Sequence, residues 1–311
     1  ILSSGSRDAD IYVGHTGGIY AGAIIVSTGA VINAFASGAG EINIKTTAAT
    51  TINGTTRLTF GIDAENDSAV TSGDINIEAA GTIGTLGNGA SGAGIYAEVL
   101  NAGNAANISI ISTGDIYVTD KESVSYGIAA ISAGAGNGTI TATSGKIIDP
   151  ADYGEFVKVG GEASITTNNQ VDASITGLYA ETTGATKNAT VLVTGKTGTG
   201  IYGVAGDGIY VAAVQGLASA GTDDANRISS DIKGGLNGIE VWSAGDAQAW
   251  TGAVTVIGET EDGIRVTSDA SSSDGDADTA LADIEGTTVS GVTGIKAIAT
   301  GTDATDTATV R

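Results

Sequence analysis

Residues able to do acid–base or metal chemistry are few in this sequence and fall in three places. GTDDANR, from Gly221 to Arg227, sets Asp223 and Asp224 near Arg227, the mix of carboxylates and a basic residue that polysaccharide hydrolases and lyases use. DASSSDGDADTA, from Asp269 to Ala280, offers Asp274, Asp276 and Asp278 as a weak Ca²⁺ candidate, with Asp269 nearby. It lacks the spacing and closing Glu of an EF-hand loop, and GGxGxDxUx repeats are absent. The only histidine, His15 in GHTG, has no Ser in a Gly-Asp-Ser-Gly context to act on, so it reads as a turn residue rather than a triad member.

Those residues need a scaffold, and composition limits which. The 311 residues are 41% apolar, enough for a long core, and Ile, Val and Thr alternate with polar residues as half-buried strands require. No helical periodicity and no apolar run near the roughly 20 residues of a membrane helix occurs. Thirteen Lys plus Arg against 35 Asp plus Glu give a net charge of -22, which repels nucleic-acid phosphates and anionic lipid surfaces. Neither nucleic acid nor membrane insertion is therefore expected. With no cysteine, neither disulfides nor thiolate metal sites can form, and no cofactor is implied. No basic and apolar leader opens the chain, which starts at Ile1 and reads as a mature or excised piece of a longer exported protein.

The strongest signal is repetition. Gly-[Ile/Leu]-x-[Ala/Val/Gly] begins at Gly18, Gly61, Gly94, Gly127, Gly177, Gly200, Gly208, Gly238, Gly263 and Gly294, mostly about thirty residues apart if the close copy at Gly200 is set aside. YGEFVKVGG, after the single proline Pro150, reads as a degenerate copy that splits the long interval before Gly177. Between copies runs an alternating strand: EINIKT at Glu41, DINIEAAG at Asp74, NISIISTG at Asn107, TITATSG at Thr139, ATVLVTG at Ala189 and AVTVIG at Ala253. RISSDIKG at Arg227 and ADIEG at Ala282 are weaker versions. A third short strand follows, as in GTIGT, GDIYVT and GKIID.

Three short strands per period of about thirty residues predict an all-β, single-stranded parallel β-helix. Roughly ten coils at about 4.8 Å each would stack some 50 Å high, as one continuous domain over residues 1–311. Ile at the second place of the tetrapeptide and the small residue at the fourth should fill the interior, because strand side chains alternate. The preceding Gly should turn a corner, by positive φ or by close backbone approach. A propeller would show longer, aromatic-marked blades, and a sandwich would need frequent two-residue hairpins.

GDINIEAAGTIGT, Gly73 to Thr85, and GAGIYAEVLNAGNAANISIISTGDIYVT, Gly92 to Thr119, resemble the passenger domains of Gram-negative autotransporters, and the likeness runs over about residues 11 to 311. The resemblance implies a right-handed parallel β-helix, secreted or displayed on the cell surface by a C-terminal translocator barrel that this chain lacks. It also implies adhesin-like or virulence roles.

The third place of the tetrapeptide should face outward, as Tyr20, Asp63, Tyr96, Ala129, Tyr179, Tyr210, Glu240, Arg265 and Lys296. Tyr20, Tyr96, Tyr179 and Tyr210 would then form an exposed aromatic column suited to a protein or glycan partner, or only to covering the sheet. Segments after the tetrapeptide vary most and should form a ridge of loops, one of them carrying both tryptophans, Trp242 and Trp250. The function expected is a non-enzymatic surface or secreted protein for adhesion or self-association, with a host-cell or neighbouring-cell protein or glycan as partner. The alternatives are a carbohydrate-active enzyme using Asp223 and Asp224, a released ligand for a host receptor, and a subunit of an extracellular filament.

Overall fold

The computed structural model describes residues 2–5, 11–15, 19–21, 30–38, 40–48, 50–54, 58–69, 73–87, 89–119, 124–143, 145–195, 200–270, 278–301 and 306–311. Every described element is a strand, and the described pairings are parallel, in a right-handed parallel β-helix with turns of roughly 30 residues. The chain forms two compact units, Ile1–Gly160 with Asn169–Ala173, and Gly161–Asn168 with Ser174–Arg311.

In the first unit each turn supplies three strands. The alternating strand builds one face through Ile11–His15, Ile42–Thr46, Ile75–Ala79, Ile108–Ser112 and Gly138–Ala142, in unbroken register from Ile44 to Ile77 to Ile110 to Ile140. The tetrapeptide builds a second face through Ala30–Ala36, Leu58–Asn66, Ala90–Val99, Tyr126–Ser132 and the later part of Lys146–Val159. A ladder of short strands closes the third side, running Ile19, Ile52, Ile83, Ile116 and Ile147. The interior is the stack these patterns predict. Ile32, Ile62, Ile95 and Ile128 are fully buried one above another, and Ala34, Ala64, Ala97, Ala130 and Val157 fill the next inward position. Each such Ile contributes about 1.5–3 kcal/mol of apolar burial.

The corner glycine is required by space rather than by φ. A Cβ on Gly94 would stand 2.2 Å from the Ile116 Cγ2, and one on Gly127 would stand 2.5 Å from the Ile147 Cγ2. Both glycines lie outside the positive-φ set, so of the two reasons anticipated for this residue only close approach applies. At the opposite corner, side chains satisfy the backbone where the strand ladder stops. Asp74 Oδ1 accepts from the Asn107 amide at 2.8 Å, and Asn107 Oδ1 accepts from the Asn137 amide at 2.9 Å.

The second unit repeats this plan. Its tetrapeptide face aligns Ile209, Ile239, Ile264 and Ile295. Its alternating face runs Ala163–Thr167, Ala189–Val193, Ala218–Ala220, Ala247–Thr251, Thr279–Ile284 and Thr307–Val310. Here the strand assignment from sequence is corrected. The strand within AVTVIG, Thr255–Gly258, and the strand within RISSDIKG, Ile232–Gly234, belong to the short-strand ladder. The alternating-face strands of those turns are Ala218–Ala220 and Ala247–Thr251, whose inward positions are alanines and so carry little hydrophobic alternation.

Candidate functional site

Two outward-facing clusters collect polar and aromatic side chains, and they differ in kind. The first lies on the tetrapeptide face of the first unit. Its outward column reads Asn33, Asp63, Tyr96, Ala129 and Phe156. A parallel column just before the corner glycine reads Phe60, Ala93, Tyr126 and Tyr153. The two columns interleave at two turns, where Tyr96 accompanies Ala93 and Tyr126 accompanies Ala129. Tyr96 has its centroid 5.3 Å from Phe60 and 6.2 Å from Tyr126, and Phe156 lies 5.0 Å from both Tyr126 and Tyr153. Tyr126 and Tyr153 stack at 5.7 Å. Ala93 and Ala129 are fully buried beneath this layer, whereas Tyr96, Tyr126 and Tyr153 stay half-exposed. A cluster of rings of which three carry a hydroxyl suits a partner that is apolar on one side and hydrogen-bonding on the other.

Carboxylates border these rings. Glu65 and Glu98 are cross-strand neighbours in the next outward column, and Tyr96 donates its hydroxyl to Glu98 Oε2 at 2.8 Å. Asp63, only 6% exposed, sits between Asn33 and Tyr96 and accepts from Asn33 Nδ2 at 3.1 Å. Burial first, then repulsion from Glu65 and Glu98, push the Asp63 carboxyl up to about 7 despite the Asn33 bond. Glu65 is raised by burial and by Glu98 and Asp67. The Tyr96 hydroxyl is held far above the ordinary phenol value by burial and by Glu98, so it stays a donor.

The second cluster surrounds Trp250 in the second unit. Arg227, its side chain 12% exposed, reaches Asp224 at 2.5 Å, Asp283 at 2.7 Å and Glu285 at 3.3 Å. Arg311 also pairs with Asp283, and the Trp250 ring carries both guanidinium groups, at 5.4 and 5.5 Å. Asp283 is brought in by strand pairing, directly opposite Trp250. Burial raises its carboxyl, but hydrogen bonds from Arg227 and Arg311 outweigh burial and hold it below the usual carboxylate value. Arg227 also donates to the Thr251 and Asp283 carbonyls at 3.2 Å. Asp223 folds back on its own turn, accepting from the Ala225 amide at 2.8 Å and the Asn226 amide at 3.0 Å. The acidic segment singled out in the sequence is therefore a bracket that fastens the end of one strand to the next two.

The structure rearranges the expected tyrosine column. Tyr20 pairs with Asn53 in the short-strand ladder, so it lies on a different face from Tyr96; the true counterpart of Tyr96 in that turn is Asn33. Tyr179 and Tyr210 do stack, at 4.8 Å and 18°, followed in register by Glu240, Arg265 and Lys296. Tyr179 donates to Glu181, and burial pushes the Tyr210 hydroxyl up to about 12. Trp242 and Trp250 do not share a loop: Trp242 is on the tetrapeptide face and Trp250 on the alternating face, both half-buried. The segment between them is a tight corner, with the Gly245 amide donating to Ser243 Oγ at 2.9 Å, not part of a projecting ridge. Asp274 and Asp276 lie outside the described residues; Asp278 is buried at a corner where its amide donates to Asp306 Oδ1 at 3.2 Å. Among the described residues no group of His, Cys, Asp and Glu is arranged to hold a metal ion.

Sequence reasoning missed Asn33, Phe60, Tyr126, Tyr153 and Phe156. A signal for several of them was present, since Phe60, Tyr126 and Tyr153 each immediately precede a corner glycine, in FGID, YGIA and YGEF. No family profile, curated protein or solved structure matches this chain.

Proposed function

We propose that this chain is a non-enzymatic, exported β-helical protein, similar to an autotransporter passenger, that adheres through the aromatic and acidic surface around Tyr96. One observation carries the reading: five aromatic rings form one contacting cluster on the outside of one regular face, with carboxylates along its border. Covering a sheet needs apolar bulk but not three partly exposed tyrosines in one cluster, and aromatic residues are enriched among those that dominate binding energy at interfaces. The partner is a protein or glycan on a host or neighbouring cell. Replacing Tyr96, Tyr126 and Tyr153 together by Thr, which keeps strand propensity, tests this. Purified protein is expected to bind cells or a glycan array, and the triple variant to lose that binding while keeping a cooperative unfolding transition. Equal binding by both proteins sinks the proposal.

A further inference from the structure

Among the described residues no ion pair reaches Asp63, Glu65 or Glu98, whereas several other carboxylates have a cation beside them. Glu78 has Lys45, Glu259 has Lys233, Asp283 has Arg227 and Arg311, and the raised Glu240 is opposed by Arg265. Around Asp63 the neighbours that act on its charge are Glu65, Glu98 and Asn33, and around Glu65 they are Glu98 and Asp67. The column that holds Glu65 and Glu98 continues through Ile131 before it reaches Lys158. On the other flank, Tyr126 is near Asp152, a further negative group. The second observation is in Asp63 itself: it is 6% exposed, yet its Oδ1 has no hydrogen-bond partner among the described residues, although Oδ2 is bonded to Asn33. When ionised, a buried carboxylate oxygen left this way costs free energy, which protonation or positive charge supplied from outside relieves. The partly exposed ring of Tyr96, set between Phe60 and Tyr126, lies beside the same carboxylates, its hydroxyl bonded to Glu98.

We infer that the surface formed by Glu65, Tyr96 and Glu98 over Asp63 docks a lysine- or arginine-bearing polypeptide segment. The carboxylates neutralise the ammonium or guanidinium group, the rings cover its alkyl stem and face its charge, and the -22 net charge draws basic segments toward it. This rests on reading the aromatic face as a binding surface and names the chemistry of its partner. Cation docking favours ionised Asp63, whose carboxyl otherwise titrates near 7, so binding at pH 6.5 releases a proton.

The test uses an octalysine peptide as probe, followed by titration calorimetry in buffers of differing ionisation enthalpy. The unaltered chain should bind saturably with proton release. Glu65→Gln with Glu98→Gln should weaken binding about tenfold, and Asp63→Asn should remove the proton release. A charge-matched control, Glu41→Gln with Glu78→Gln on the alternating face, should change affinity less than about twofold. Equal weakening by the two double variants would mean diffuse attraction to an acidic surface and would overturn the inference. Adherence to cells without octalysine binding also overturns it and leaves the adhesive reading standing. Octalysine binding by a chain that adheres to nothing does the reverse.

Discussion

Asp283 beside Trp250 and Asp63 beside Tyr96 are buried to similar degrees, 7% and 6% exposed, and their carboxyls shift in opposite directions. Asp283 is pulled below its usual value because Arg227 and Arg311 enclose it, while burial first, and then repulsion from Glu65 and Glu98, drive Asp63 up to about 7. The first arrangement uses charge to tie strands together, so removing one member exposes the rest. The second stores repulsion on a regular face, which is a cost to the fold and an opening for a ligand. A cluster with its counter-ions built in is a fastening, and one without them is a candidate site.

Breaking the fastening should give the largest effect. Arg227→Ala leaves Asp283 buried with only Arg311 and strips one face of Trp250, so chemical denaturation should show a loss of about 3–5 kcal/mol. Removing the repulsion should act in the other direction. The folded Asp63 carboxyl titrates above its unfolded value, so its favourable contribution is complete below pH 4 and disappears as pH rises through 7. Asp63→Asn should therefore flatten the fall in stability between pH 4 and 8. Discounted for solvent screening, the difference at pH 8 is on the order of 2 kcal/mol in favour of the variant. NMR titration of the Asp63 carboxyl carbon checks the premise, and a midpoint near 4 would remove it.

Supplying the missing cation should turn one region into the other. Glu65→Lys is expected to draw the Asp63 midpoint down and recover about 1 kcal/mol at pH 8. The smallest change is expected at Asp224, which pairs with Arg227 but has a side chain 83% exposed; Asp224→Asn should move stability by no more than about 0.5 kcal/mol. A larger loss there would mean that the bracket depends on its solvent-exposed arm.

Much of the fold was legible because its rules are local. Ile95 and Ala97 are inward, Tyr96 is outward and Gly94 is at the corner, all as alternation and repetition require. YGEFVKVGG does form the extra turn, with Phe156 opposite Ala129. Reading failed where a copy kept the letters and changed its place, as Ile19 to Ala21 did, or kept the place and changed its letters, as Ala30 to Ala36 did. It failed again at Ala218–Ala220, where small inward residues left no hydrophobic period to read.

The sequence by itself determined the strand period, the inward isoleucines and small residues, the corner glycines and the excess of negative charge, because each is set by neighbours a few residues apart. Tertiary structure alone decided which side chains meet across turns: that Tyr96 lies by Phe60 and Tyr126 rather than above Tyr20, and that Arg227 finds Asp283 while Asp63 finds Glu65 and Glu98. Those meetings depend on register between strands about thirty residues apart, and register depends on the length of each intervening turn, which no local pattern records.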